Sequence, residues 1–301
     1  MGFDRLLAGG IGGKPLVCLE VNPPRGVDPK PVFERLEGKL AGIDFLNVTD
    51  SALARMKSSP LPFAALVKER LGIEPLVNVS CRDRNLIALQ ADLLAGWMGG
   101  VRSIVALTGD AVTVGDSPDR KGVFEVNSIG LLNTIKTLNS GVDLAGNKLS
   151  GAPSFISGVV TNPNAKNVAA EVRRLTKKRE AGAVYALSQP VFDAGSAISF
   201  LTEVKAAGVG ILLGLMPFRT LEGAKALSEI PGIRMPQAVL DEVAALPPAA
   251  IADYSIRLCE SIASQTRELT VGVHVIGGAA AKLGLELAQT LGAKSSFGSP
   301  L

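Results

Sequence analysis

The chain has 301 residues, and its 31 basic and 28 acidic side chains leave a net charge of +3, too small to advertise a nucleic-acid surface. Hydrophobic residues make up 47% and aromatics only 4%, with 33 glycines, so the core must be aliphatic and closely approached by backbone, as in α/β enzymes. Three scattered cysteines with no C-x-x-C spacing supply neither a disulfide framework nor a thiolate metal site, and the longest apolar run, "GVGILLGLMPF", is too short to span a bilayer.

The opening "MGFDRLLAGGIGGK" has an acid at its fourth position and no long apolar stretch, so a soluble protein is expected, and the scattered cysteines fit a reducing cytoplasm. "GGIGGKP" lacks the first glycine and the Ser/Thr of a phosphate loop, and "GVGILLG" misses G-x-G-x-x-G by one position. Strand-like runs then follow in order: "PLVCLEVN" (15 to 22), "DFLNVT" (44 to 49), "PLVNVSC" (75 to 81), "SIVALTG" (103 to 109), "FISGVV" (155 to 160), "VYALSQ" (184 to 189), "GILLGLMP" (210 to 217) and "VGVHVIG" (271 to 277). Helix-period leucines and alanines lie between them, as in "RNLIALQADLLAGWMGG", where Leu86, Leu89, Leu93 and Trp97 share a face.

Continuous apolar strands joined by helices imply a parallel sheet covered by helices. Eight such units in one chain predict a single (β/α)8 barrel (a TIM barrel) over residues 1–301. Before the eighth strand, "MPQAVLDEVAAL" and "PAAIADYSIRLCESIASQTREL" predict an extra helical insertion. Long loops follow strand four ("DAVTVGDSPDRKGVFEVN") and strand five ("TNPNAKN"), and the basic run "RRLTKKRE" reads as a solvated helix face. The tail "GAKSSFGSPL" is expected to be loosely ordered.

Barrel chemistry sits at the carboxyl ends of the strands. Those ends are polar here: Glu20 and Asn22, Asn47, Thr49 and Asp50, Asn78, Ser80 and Cys81, Thr108, Gly109 and Asp110, Ser188 and Gln189, Arg219, and the single histidine, His274. Their convergence describes one polar pocket. These have structural alternatives: Glu20 paired with Arg25, Asp110 capping a loop, Gln189 satisfying backbone, His274 a hydrogen-bonded core histidine. No H-E-x-x-H or G-x-S-x-G is present, so no metal is expected and nucleophilic triads find no support.

"LEVNPPRG", "CRDRNLIALQADLLAG", "ALTGD", "GVFEVNSIGLL", "NPNAK" and "ALSQPVFD", in that order, resemble the methylenetetrahydrofolate reductases over nearly the whole chain. The similarity is greatest to a shorter bacterial branch that includes acetyl-CoA-pathway reductases and domains fused to homocysteine methyltransferases. The resemblance implies a barrel holding FAD non-covalently, at which NADH or NADPH and a folate take turns at one flavin face in one-carbon metabolism and methionine biosynthesis. It implies that hydride passes through flavin N5 to 5,10-methylenetetrahydrofolate, giving 5-methyltetrahydrofolate. Glu20 then matches the general acid for folate N10, a role that a raised pKa serves. Asp110 matches an aspartate between flavin and pterin, and Gln189 a glutamine on folate or nicotinamide.

By the same resemblance Thr49, Asp50 and Ala52 meet flavin and substrate at the second strand. Asn78, Thr108, Gly109, Asn162, Glu171 and Lys178 belong with the cofactor, Lys178 near the diphosphate. Three positions depart from the pattern. Asn78 stands where many relatives have histidine, Pro190 and Val191 where other branches have aromatics, and alanine follows "GVHVIGG" where some have a tail-binding arginine. The alternative is a folate-binding subunit that takes electrons from a partner protein, and a flavin-free lyase or methyltransferase barrel is a third reading. A homo-oligomer or hetero-complex is expected.

Overall fold

The structure is a computed structural model that describes residues 2–7 and 14–296. Eight strands form one closed parallel barrel in chain order: β1 (Leu16–Val21), β2 (Phe45–Val48), β3 (Glu74–Ser80), β4 (Ser103–Leu107), β5 (Ile156–Thr161), β6 (Ala183–Pro190), β7 (Gly210–Leu215) and β8 (Gly272–Val275), the last pairing with β1. The expected barrel and all eight strand positions are therefore present, with ends within two residues of those read from sequence.

Side-chain alternation divides each strand between two cores. On β1, Val17, Leu19 and Val21 face the helices, while Leu16 and Cys18 join Phe45, Leu76, Val105, Tyr185 and Leu212 inside the barrel. The same parity turns Glu20 inward. At mid-depth the Tyr185 hydroxyl meets Ser103 Oγ at 2.8 Å. The tyrosine ring lies where a side chain on its β5 neighbour would project, so position 158 must be glycine.

A short helix not anticipated from the sequence, α1 (Gly2–Leu7), closes the floor of the barrel. Leu6 is fully buried, Phe3 packs on Phe45 with ring centroids 5.2 Å apart, and Arg5 pairs with Asp44 at 3.2 Å. Asp44 in turn accepts the Val17 N–H, tying the helix to β1. The glycine-rich run at 8–13 lies outside the described residues.

The outer layer comprises α2 (Lys30–Leu36), α3 (Pro60–Leu71), α4 (Leu86–Met98), α5 (Ser128–Asn139), α6 (Val168–Glu180), α7 (Ala194–Val204), α8 (Leu221–Ser228), α9 (Gln237–Ala244), α10 (Ile251–Thr266) and α11 (Ala281–Ser296). Asn85, Asn127, Asn167, Asp193 and Thr220 cap helix starts by accepting N–H groups of the first turn, so chain direction reverses sharply just above the strand ends. On α4, Leu89 and Leu93 are buried and Leu86 and Trp97 pack beside them, as their spacing predicts.

The insertion is α9 and α10, and with α8 it has its own core of Phe192, Met216, Phe218, Met235, Val239, Val243 and Ile251. One expectation is corrected: α11 carries residues 292–296 in regular helix, where Gly292 packs on the Gly42 backbone and Lys294 pairs with Glu260 at 2.9 Å. The remaining tail, 297–301, lies outside the described residues. Among the described residues no helix is long and apolar enough to cross a membrane.

Candidate active site

Glu20 sits on the inner wall near the carboxyl end of β1, half-buried, and burial pushes its carboxyl up to about 7 although the Gly278 N–H partly opposes this. Its structural alternative does not form: Arg25 turns outward to Asp116 at 3.0 Å. Below it Cys18 is fully buried, and desolvation with the nearby Glu20 raises its thiol pKa well above the ordinary range.

On the neighbouring strands, Thr49 Oγ1 donates to Asn22 Oδ1 at 2.7 Å, and Asn47 Nδ2 donates to Asn78 Oδ1 at 2.8 Å. Glu20, Asn22, Asn47, Thr49 and Asn78 are thus brought together around β1, β2 and β3. Asp50 is different. Buried, it accepts the Ser80 N–H at 2.8 Å and pairs with Arg84 at 2.7 Å, so its carboxylate is committed to joining β2 to the end of β3.

The segment after Asp50 is strained. Ser51, Leu53 and Ala54 all have positive φ, the left-handed region that non-glycine residues avoid. The turn at Ala52–Ala54 packs against a second turn, Val112–Val114, in the loop after β4. Leu53 N–H donates to Asp110 Oδ2 at 2.8 Å, and Met56 N–H to Asp116 at 3.3 Å. The β4 loop is also pinned to β3, with Val123 N–H on the Arg82 carbonyl at 2.6 Å and Phe124 N–H on that of Cys81 at 3.2 Å. Thr108 Oγ1 accepts the Ser128 N–H and so fixes the start of α5. Gly109 has φ +98°, and a Cβ there would press on Ser80 Oγ and Arg82 Cβ.

Two arginines went unassigned from sequence. Arg82 is buried, pairs with Asp83 at 2.7 Å and donates to the Ser51 carbonyl at 3.2 Å; Arg84 bridges Asp50 and Asp92. The signal was present in "CRDRN", two arginines flanking an acid at a strand end.

The β5 group forms a separate cluster. Glu171 is buried on α6 and accepts Thr161 Oγ1 at 2.9 Å and Asn162 N–H at 3.0 Å, with Arg174 on its other oxygen. Lys178 Nζ donates to the Val160 carbonyl at 2.7 Å, and burial lowers its pKa. Glu171 and Lys178 therefore tie α6 to β5, and within "RRLTKKRE", expected to be mainly a solvated face, Lys178 is drawn inward by the bond from its ammonium to that carbonyl. Gln189 is half-buried at the end of β6, and its side chain makes no hydrogen bond among the described residues.

His274, expected as a hydrogen-bonded core histidine, is buried but unbonded: neither ring nitrogen has a partner among the described residues. Its inward position on β8 faces apolar and glycine neighbours, and desolvation lowers its pKa to about 3, so the ring is neutral.

The 5,10-methylenetetrahydrofolate reductases of Salmonella typhimurium and Escherichia coli are each 25% identical to this chain over 230 residues, covering 75% of it and 72% of the relative. A probable methylenetetrahydrofolate reductase (NADPH) of Caenorhabditis elegans is 26% identical over 75% of this chain but only 34% of its own length. Among solved structures, a Clostridium thermocellum protein that binds two copies of 5-methyl-5,6,7,8-tetrahydrofolic acid superposes with a TM-score of 0.66 at 15% identity, covering 98% of this chain and 100% of that one. The EDTA monooxygenase of Chelativorans gives 0.56 at 13%, over 94% and 95%. These two likenesses speak for the barrel fold alone. The family model described as methylenetetrahydrofolate reductase matches residues 5–292, nearly the full chain, and the protein therefore belongs to the methylenetetrahydrofolate reductase family of enzymes.

Proposed function

We propose that the protein interconverts 5,10-methylenetetrahydrofolate and 5-methyltetrahydrofolate, with FAD held non-covalently at the mouth of the barrel. The observation that carries this reading is Glu20, a carboxyl on the inner wall kept protonated near neutrality by burial, where an acid for folate N10 is required.

The side chains at the mouth suit a flavin. Thr49, Asn78 and Gln189 offer hydroxyl and amide groups for a ring edge rich in donors and acceptors. Thr108, Asp110, Ala52 and Asn162 lie on the loops that would border it. Asp50, Glu171 and Lys178 act one step back, by holding those loops through the bonds described above. When bound, FAD supplies the acceptance and return of a hydride.

The chain's own part is proton supply and charge placement. Protonated Glu20 gives its hydrogen to N10, which opens the five-membered ring and leaves a cation on the folate. The Asp110 carboxylate then stabilises that cation once it is released from Leu53. The Gln189 side chain, unbonded among the described residues, is available to orient the pterin. The purified protein should be yellow, and 5,10-methylenetetrahydrofolate should reoxidise its chemically reduced flavin; a colourless preparation that takes up no FAD would remove the proposal.

One observation favours a second reading of the electron donor. Beside Gln189, Pro190 and Val191 are buried, and Phe192 faces the insertion core, so β6 offers no ring for a nicotinamide to stack on. Delivery by a partner protein fits that wall. Anaerobic mixing with NADH and NADPH separates the two: rapid bleaching of the flavin identifies a self-sufficient enzyme, and none identifies a partner-dependent one.

A further inference from the structure

The inner wall carries one polar side chain that neither the fold nor the proposed chemistry employs. His274 is 5% exposed with both nitrogens unpartnered among the described residues. Burying an imidazole without hydrogen bonds is unfavourable, and a leucine or phenylalanine would fill the same space without that loss. Packing alone does not account for a histidine here.

Its neighbours suggest what does. Cys18 stands directly beside it on β1 and Gly214 beside it on β7, where the backbone of Ser188 and Gln189 fills the space a side chain would take. Glu20 is the next inward residue above Cys18, which makes it the diagonal neighbour of His274. In a parallel pair such diagonal residues on one sheet face lie about 8 Å apart, a span that one bridging water and a long side chain can close. The Gly278 N–H, four residues beyond His274, is near enough to the Glu20 carboxyl to oppose part of the rise in its pKa, which puts the carboxyl within the influence of the β8 side of the mouth.

We propose that His274 is the positioning residue for the Glu20 proton: its ring N–H receives the carboxylate left after Glu20 gives its hydrogen to folate N10, directly or through one water. This rests on the reading of Glu20 as the folate acid. The proton moves from Glu20 to N10 and is later restored from solvent, while the imidazole keeps its own hydrogen and remains neutral throughout. A neutral ring has one donor and one acceptor, so it can serve both the carboxylate and the reloaded acid.

The other groups facing the pair do not supply this. Cys18 on β1 and Tyr185 on β6 are held protonated by burial, and β7 presents Leu212, Gly214 and Met216. At the rim Asp50 is engaged by Arg84, and Asp110 by Leu53. The segment from Gly277 to Ala281 carries no charge, and Lys282 lies beyond it.

His274 is the only histidine in the chain, so labelling with nitrogen-15 histidine gives the signals of this ring alone. In the full chain those signals should move as Glu20 titrates near pH 7 and stay flat in Glu20→Gln. Flat signals in the unmodified protein would overturn the proposal. Because this measurement needs no turnover, a coupled pair in a protein inert toward folate would remove the proposed activity and not the pairing. In the folate half-reaction, His274→Phe should move the alkaline limb upward by about one pH unit, whereas His274→Gln, which retains donor and acceptor, should restore the original limb. An unmoved limb in a folded His274→Phe protein also overturns it; if that variant does not fold, the ring signals decide.

Discussion

The Asp110 carboxylate, the group proposed to face the folate cation, is occupied by the backbone N–H of Leu53 at 2.8 Å. Leu53 itself sits at φ 54°, between two further left-handed residues. The most strained backbone of the mouth is thus held against the acid the chemistry would use.

Relieving that strain should stabilise the protein. Ala54→Gly removes a Cβ from a left-handed position at φ 52°, where it is half-buried. A gain of about 0.5–1 kcal/mol is expected in urea unfolding, net of the greater freedom of glycine in the unfolded chain. A loss of stability would show that neighbouring contacts, not strain, govern this turn.

Gly109→Ala works in the opposite direction. The added methyl meets Ser80 Oγ and Arg82 Cβ at φ +98°, where the β4 loop is already tied to β3. We expect a loss of about 2–3 kcal/mol and weaker flavin retention, read by denaturation and by absorbance after gel filtration.

Asp50→Ala leaves Arg84 buried beside an unpaired Ser80 N–H. A loss of about 3 kcal/mol is expected, the range for breaking a buried ion pair from one side. Lysine or arginine scanning of the surface should show nothing comparable. If Asp50→Ala unfolds like the parent but loses cofactor, Asp50 touches the cofactor directly.

The pH dependence of stability separates Glu20 from His274. The folded carboxyl of Glu20 is raised to about 7 from 4.5, so its contribution is present below 4.5 and is lost as pH rises to 7. Glu20→Gln should therefore gain stability over the parent at pH 8, by up to about 3 kcal/mol, and gain little at pH 4, while losing folate turnover. His274 is lowered to about 3 from 6.5, so its contribution is present above 6.5 and lost as pH falls toward 3. His274→Phe should gain more at pH 4 than at pH 8. Chemical denaturation of both variants at the two pH values checks the opposed signs.

Much of this architecture was legible in the chain because strand periodicity is local. Eight short apolar runs separated by helical patterns admit few arrangements, and Glu20 at an inward parity follows from "LVCLEV" alone. What was illegible depended on partners distant in sequence. Whether Glu20 paired with Arg25 was undecidable until Asp116, far along the chain, claimed the guanidinium. Asp50 and Glu171 read as cofactor contacts by resemblance, yet both are saturated by internal donors that only the tertiary structure brings near. The absent bonds of His274 could not be read at all, since a sequence does not record what a side chain fails to meet.

The helix that corks the lower end of the barrel has a further consequence. Cys18 is packed in the same cluster as Leu6. Trimming Gly2–Leu7 would uncover that end of the cluster to small electrophiles, so Cys18 alkylation in the full chain, set against the rate in the trimmed one, becomes a clock for how often the cork lifts.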